Sequence, residues 1–298
     1  MTVKTDLRLL FALMGVALVW GTTYLGISIA VETIPAWFVA AIRQSISALV
    51  LVVILLRKNE LKWMGWPYLR RQMLVSILMI VVANGMTTVA EQTIPSGLTS
   101  LLNALSPLFV FLGSVAVRLQ KPSLRGFLGV LIGFLGVAFI FRAGLGDLLD
   151  PNYKTGIMFL CFAITGWSLG TLYTKKYSHP SANIFLDLFC QFAFSAVVQF
   201  ILAFVFSGET SVSQWSAHSW MAVVYLAVFG SIVGYFCYHY ALKKVSATKV
   251  SVLTYFNTVI ALFLGWLILD EVITADIIVA TVLIILGVFI TNYKTQKT

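Results

Sequence analysis

Long apolar runs separated by short polar stretches organise this chain. Ten such runs are read, at roughly 9–31, 36–56, 72–93, 96–118, 123–142, 155–175, 182–206, 217–242, 247–268 and 273–293. Each is about the length that crosses a bilayer as a helix, and only a helix closes its own backbone hydrogen bonds in hydrocarbon. Pro35, Pro67, Pro95, Pro122, Pro151 and Pro180 fall at run boundaries, whereas Pro107 lies inside the fourth run. A proline there removes a donor and crowds the preceding turn, so the fourth helix is expected to bend. The pattern predicts an all-α membrane protein with ten transmembrane helices.

Composition strengthens this reading. Of 298 residues 60% are apolar and 10% charged. Soluble domains carry about a quarter charged residues, so a soluble enzyme or a disordered chain is excluded. The net charge of +9 would favour nucleic acid in a soluble protein. Here, however, the basic residues sit in small groups between apolar runs, such as Arg57-Lys58, Arg70-Arg71, Lys175-Lys176 and Lys243-Lys244. No nucleic acid is expected. With the N-terminus inside, every basic residue of the 20 except Arg43, Arg142 and Lys154 falls on the inner side. Most acids fall outside: Glu32, Asp147, Asp150, Glu209, Asp270, Glu271 and Asp276. By the positive-inside rule both termini are cytoplasmic and the span count is even. Lys4 and Arg8 before the first run, with Ser28-Ile29-Ala30 after it, look weakly like a signal peptide. The run's length and its counterpart in the second half argue that it is retained as a span. Cys161, Cys190 and Cys237 lie in apolar runs without metal-ligand spacing and are expected to be small core side chains.

The chain also resembles itself. At a shift of 151 residues Ser106–Gly113 aligns with Asn257–Leu264 and Leu135-Gly136-Val137 with Leu286-Gly287-Val288, while Trp20 corresponds to Trp167 at a slightly smaller shift. The repeats are assigned to 1–150 and 151–298. Each holds five spans, an odd number, so the second copy enters the membrane inverted. Inverted repeats are the build of many secondary transporters.

A family resemblance rests on Trp20-Gly21-Thr22-Thr23-Tyr24 in the first helix and Asn84-Gly85-Met86-Thr87-Thr88-Val89-Ala90-Glu91 in the third. It continues from Pro95-Ser96-Gly97-Leu98 to Ser106-Pro107-Leu108-Phe109, and ends on Gly265-Trp266-Leu267-Ile268-Leu269-Asp270-Glu271. The chain resembles EamA-type permeases of the drug/metabolite transporter superfamily, in the YedA-like subgroup. The resemblance implies a central cavity and export or exchange of small metabolites, amino acids among them, across the inner membrane. Two departures stand out: Thr258 replaces a proline of the ninth helix, and Gln120 replaces an acid closing the fourth, while Glu271 is kept.

Ionisable groups inside a membrane are functional candidates. Arg43 in the second helix and Glu91 in the third differ in depth by roughly 5 Å at 1.5 Å per residue. They are read either as an outer gate or substrate-carboxylate anchor, or as a static ion pair; alternatively Arg43 snorkels to the interface. Asp187 lies one turn into the seventh helix on the inner side. Glu91, Asp187 and His239 are the candidates for ion coupling. Trp20 with Tyr24, the stripe Asn84, Thr87 or Thr88, and Glu91, then Asn103, Trp167, Tyr235 and Tyr238 are read as lining a cavity; helix–helix glue or an interfacial aromatic belt would use the same residue types. The substrate-binding set is thus Trp20, Tyr24, Arg43, Asn84, Thr88, Glu91, Asn103, Trp167, Tyr235 and Tyr238. Gly126, Gly129, Gly133 and Gly136 form a packing face, with a homodimer contact as a second use. No Walker A, HExxH or GxSxG motif is present, so no cofactor, metal, ATP drive or catalytic site is expected. The function expected is a secondary transporter working by alternating access, gradient-driven or proton-coupled. A non-transporting receptor and an intramembrane enzyme are the alternatives.

Overall fold

A computed structural model describes residues 6–94, 96–140, 153–177, 183–208, 210–260 and 275–292. Among them no strand occurs, and the helices are α1 (Leu7–Val31), α2 (Ala36–Arg57), α3 (Trp66–Ala90), α4 (Ser96–Asn103), α5 (Ser106–Ala116) and α6 (Leu124–Ile140). They continue as α7 (Lys154–Tyr177), α8 (Ile184–Phe206), α9 (Ala217–Lys244), α10 (Ala247–Ser251), α11 (254–260) and α12 (Ala275–Asn292). Six of these helices, α1, α2, α3, α7, α8 and α9, are long and apolar enough to cross a membrane.

Polar side chains start several helices. Asp6 accepts from the Leu9 amide at 3.3 Å, and Asn183 from the amides of Phe185 and Leu186 at 3.0 and 3.4 Å. Ser216 caps α9 through the Ser219 amide at 3.1 Å. Each cap satisfies a donor that the first helical turn leaves free. Helix α3 begins at Trp66, six residues before the apolar run, because Gly65 at φ 88° ends the preceding chain and Pro67 fits the first helical turn. Its polar Arg70-Arg71-Gln72 hid that extra turn from hydropathy.

The fourth span is broken rather than bent. Helix α4 ends at Asn103, two turn residues follow, and α5 carries Pro107 in its first turn. Proline cannot bond the carbonyl four residues back; here that carbonyl is Asn103's, and the Ser106 hydroxyl donates to it at 2.5 Å. A second break falls at Val252-Leu253 between α10 and α11, without a proline. The expected run 247–268 is therefore not one helix. Its segment 261–274, with Gly265–Glu271, lies outside the described residues.

Two helix pairs dominate the packing, α2 against α8 and α6 against α12, while α1 lies along α9 and α7 along α3. The glycine face of α6 is used within the chain. A Cβ on Gly129 would sit 2.9 Å from the Gly287 carbonyl oxygen, and one on Gly287 2.6 Å from that of Gly129. Gly126 faces Phe111 and Gly133 faces Tyr255. These glycines bring two backbones into contact, so they do not furnish the dimer contact read from sequence.

Leu49, Val197, Ile201 and Phe204 on the outer faces of α2 and α8 are exposed, as lipid-facing side chains are. Cys161 belongs with them: it is exposed on α7, contrary to the expectation of a core residue, while Cys190 and Cys237 are half-buried. An apolar run that spans a bilayer has a lipid face as well as a core face, and hydropathy alone does not separate them.

Candidate functional site

The unusual backbone lies in α3 and α9. Ile77–Gly85 and Leu226–Val233 are π-helical, where each turn holds one extra residue. Such stretches mark functional sites because they rotate side chains and turn carbonyls toward new partners. Side chains from other helices collect on these carbonyls. The Trp20 indole N–H donates to Gly230 O at 3.0 Å and Ser47 Oγ to Ala227 O at 3.0 Å. In the other stretch, Tyr235 Oη donates to Met79 O at 3.0 Å and Gln199 Nε2 to Ile80 O at 3.2 Å.

Trp20 is the hub of an aromatic layer. Its ring centroid lies 5.1 Å from Trp167, 5.5 Å from Tyr235 and 5.2 Å from Tyr238. Trp167 in turn lies 4.9 Å from Tyr238 and 6.0 Å from Tyr235. The approach requires Gly234, since any Cβ there would overlap the Trp20 indole. Tyr238 Oη and Thr171 Oγ1 share a hydrogen bond of 2.6 Å.

Above this layer lies a cavity of about 100 Å³, toward which Trp20, Tyr24, Arg43, Asn84, Asn103, Trp167 and Tyr235 converge from six helices. Thr23, beside Trp20 and Tyr24 on the first helix, also lines the wall, as do Ser106 and Thr254, which sequence reasoning missed; of the Thr87–Thr88 pair it had placed Thr88 in the binding set. Thr87 lines the cavity, while Thr88 bonds back to Asn84 O at 2.9 Å and is buried. Neither Glu91 nor Tyr238 lines it.

Arg43 is the charged wall of this cavity. It is 2% exposed, so it does not snorkel. Its Nε donates to Ser231 Oγ at 2.8 Å, and Ser231 Oγ donates to Gln44 Oε1 at 3.2 Å. The Gln44 amide nitrogen reaches Asn84 Oδ1 at 3.4 Å. The expected contact with Glu91 is not made. Among the described residues no ion pair joins the two, and both Glu91 oxygens are buried without a hydrogen-bond partner. Glu91 lies within electrostatic reach of Arg43, at the turn where α3 ends.

Below the aromatic layer a second cavity of about 100 Å³ is lined by Tyr68, Gln72, Val75, Thr174, Asp187 and His239, among others. Three helices order the two cavities. Along α3 the sequence is Ala83, Met79, Val75; along α7 it is Trp167, Thr171, Thr174; along α9 it is Tyr235, Tyr238, His239. In each trio the first residue lines the upper cavity, the second is buried and the third lines the lower. The lining residues of the two cavities are thus one to two helical turns apart, roughly 6–12 Å at 1.5 Å per residue. Among the described residues no group of three or more His, Cys, Asp or Glu is placed to hold a metal ion.

Six membrane-length apolar helices among the described residues, set around stacked polar cavities, define a multi-pass membrane protein. The pattern of the EamA-like transporter family matches residues 7–142 and again 154–293. The chain belongs to this family and is an EamA-type permease of the drug/metabolite transporter class. It is similar to the uncharacterized inner membrane transporter YedA of Escherichia coli K12, 31% identical over 266 residues that cover 87% of this chain and 82% of YedA. The uncharacterized transporter YoaV of Bacillus subtilis is 24% identical, covering 97% of this chain and 98% of its own. Protein PagO of Salmonella typhimurium is 28% identical, covering 97% and 93%. One crystal structure superposes with a TM-score of 0.78 over 97% of this chain and 98% of its own; at 17% identity it speaks for the fold alone.

Proposed function

We propose that this chain is a secondary transporter that carries small metabolites, such as amino acids or drug-like organic solutes, by alternating access. In this reading it has ten spans in two inverted five-helix repeats, 1–150 and 151–298, and lies in the bacterial inner membrane with both termini cytoplasmic. The two family matches, the two π-helical stretches and the two broken helices, one of each per half, support the repeat. Given the orientation set by loop charge, the upper cavity faces outward and the lower cavity the cytoplasm. The aromatic layer between them is the inner gate, and the solute site is the upper cavity with Trp20, Tyr24, Arg43, Asn84, Asn103, Trp167 and Tyr235.

One observation carries the reading: Arg43 is a buried cation that touches no carboxylate among the described residues yet faces a polar cavity. A charge removed from water needs a counter-charge, and a solute carboxylate supplies it. Binding then alters the balance between the outward and inward states to the extent that the solute binds the two unequally. Glu91 is buried and unpartnered beside this site. It is the leading candidate to take a proton or cation during the cycle, whether drive comes from the solute gradient or from protons.

Uptake into proteoliposomes tests this. The solutes are those that stabilise the purified protein in a thermal-shift screen. Arg43→Ala is expected to lower the flux of a carboxylate-bearing solute at least 100-fold in a folded protein; unchanged flux would remove Arg43 from the site. In the same vesicles Glu91→Gln is expected to abolish the response to an imposed pH gradient. A response equal to wild type would place coupling elsewhere.

A further inference from the structure

The lower cavity has a polar wall in which two buried atoms have no hydrogen-bond partner. Asp187 Oδ1 accepts from Tyr68 Oη at 2.7 Å and from Gln72 Nε2 at 2.8 Å. Gln191 Nε2 donates to Gln72 Oε1 at 2.7 Å. This bond fixes the Gln191 amide and commits its nitrogen. Gln191 Oε1 is then left buried with no donor, and His239 Nε2 is likewise buried and unpartnered. Gln191 is 1% exposed, His239 4% and Asp187 6%. Asp187 and Gln191 are one turn apart on α8, so both point to the same side, and His239 meets them from α9. Buried acceptors of this kind are costly and call for a donor.

We propose that the lower cavity is a second binding site, and that it recognises a primary ammonium group. An ammonium carries three N–H donors and a positive charge. Two unpartnered acceptors wait here, Gln191 Oε1 and His239 Nε2 in its neutral form, beside the negative charge of the Asp187 carboxylate. A hydroxyl brings one donor and no charge, and a carboxylate brings none. A cavity of about 100 Å³ has room for the ammonium and a short alkyl chain, since an apolar cavity of about 150 Å³ holds a benzene. Two cations share this end of the molecule. Arg71 lines the cavity but is exposed, so water and salt screen its charge; Lys243 is half-buried within reach of Asp187. Both are donors, but neither reaches Gln191 Oε1 or His239 Nε2, which stay without a partner. The cytoplasmic placement of this site rests on the orientation given above. Recognition of the ammonium does not, and it gives the inner vestibule a chemistry opposite to that of Arg43 outside.

The test is an equilibrium binding measurement that requires no flux. Ethylammonium is titrated into the full chain in lipid nanodiscs and followed by saturation-transfer NMR, with propan-1-ol and propionate as controls of similar size. Ethylammonium is expected to give a saturable signal and the two controls none. Asp187→Asn and Gln191→Leu are each expected to weaken it at least tenfold, with the elution profile of the folded protein retained. The ethylammonium signal of folded Gln191→Leu settles the matter if the asparagine variant alone fails to fold. Equal displacement by sodium chloride, or loss of the signal in Arg43→Lys but not in the α8 variants, would overturn the proposal. So would absence of saturable binding by a wild-type protein that still transports, a result that leaves the transport reading intact.

Discussion

Arg43 and Trp20 owe their positions to single hydrogen bonds onto one stretch of α9. Arg43 holds Ser231, and Trp20 holds the Gly230 carbonyl. Between them the absence of a side chain at Gly234 admits the indole. Gly234→Ala is accordingly expected to displace Trp20, cut solute flux at least tenfold and lower the thermal midpoint by a few degrees. Intrinsic tryptophan fluorescence and flux measured on one preparation check this, and an unchanged pair of values would refute the hub role. Much of this site was legible from residue type and spacing. Trp20, Tyr24, Asn84 and Trp167 stood out as polar or aromatic residues repeating on helical faces, and all four line one cavity. The choice between Thr87 and Thr88 was not legible. A 3.6-residue period runs Asn84, Thr88, Glu91, but Ile77–Gly85 is π-helical and shifts the phase of what adjoins it. Nothing in the apolar run Ile77–Val82 announces that change.

The helices were easier to read than their interruptions. Apolar run length located α1, α2, α7 and α8 within a few residues, because hydrocarbon enforces both helicity and length. Pro107 announced a disturbance in the fourth run, and the break there follows from the bond proline cannot make. The break at Val252-Leu253 has no such marker; the only hint was its alignment with the first half, where Thr258 occupies the place of the proline. The α6–α12 crossing is glycine on glycine, a contact that a hydropathy profile does not register. Gly129→Val would push two backbones apart at Gly287 and Thr291. Overpacking of this sort costs about 1–3 kcal/mol, so the variant is expected to lose thermal stability while keeping the aromatic layer, as read from its fluorescence. A midpoint equal to wild type would mean that the crossing tolerates separation.

At the scale of the whole molecule, two cavities of opposite chemistry lie on either side of one aromatic layer, and each draws residues from both halves of the chain. A channel would need a continuous path, whereas here the layer closes it: Tyr235 is tied to Met79 O and Tyr238 to Thr171. In the proposed cycle solute crosses only when those contacts exchange for others, one molecule per cycle. Counterflow tests this most directly. Proteoliposomes are loaded with an excess of an unlabelled solute found in the thermal-shift screen and diluted into a trace of the same solute carrying label. A carrier that alternates predicts a transient overshoot of label inside the vesicles, followed by decay to equilibrium. Label that rises monotonically to equilibrium, or does not enter, would contradict the account.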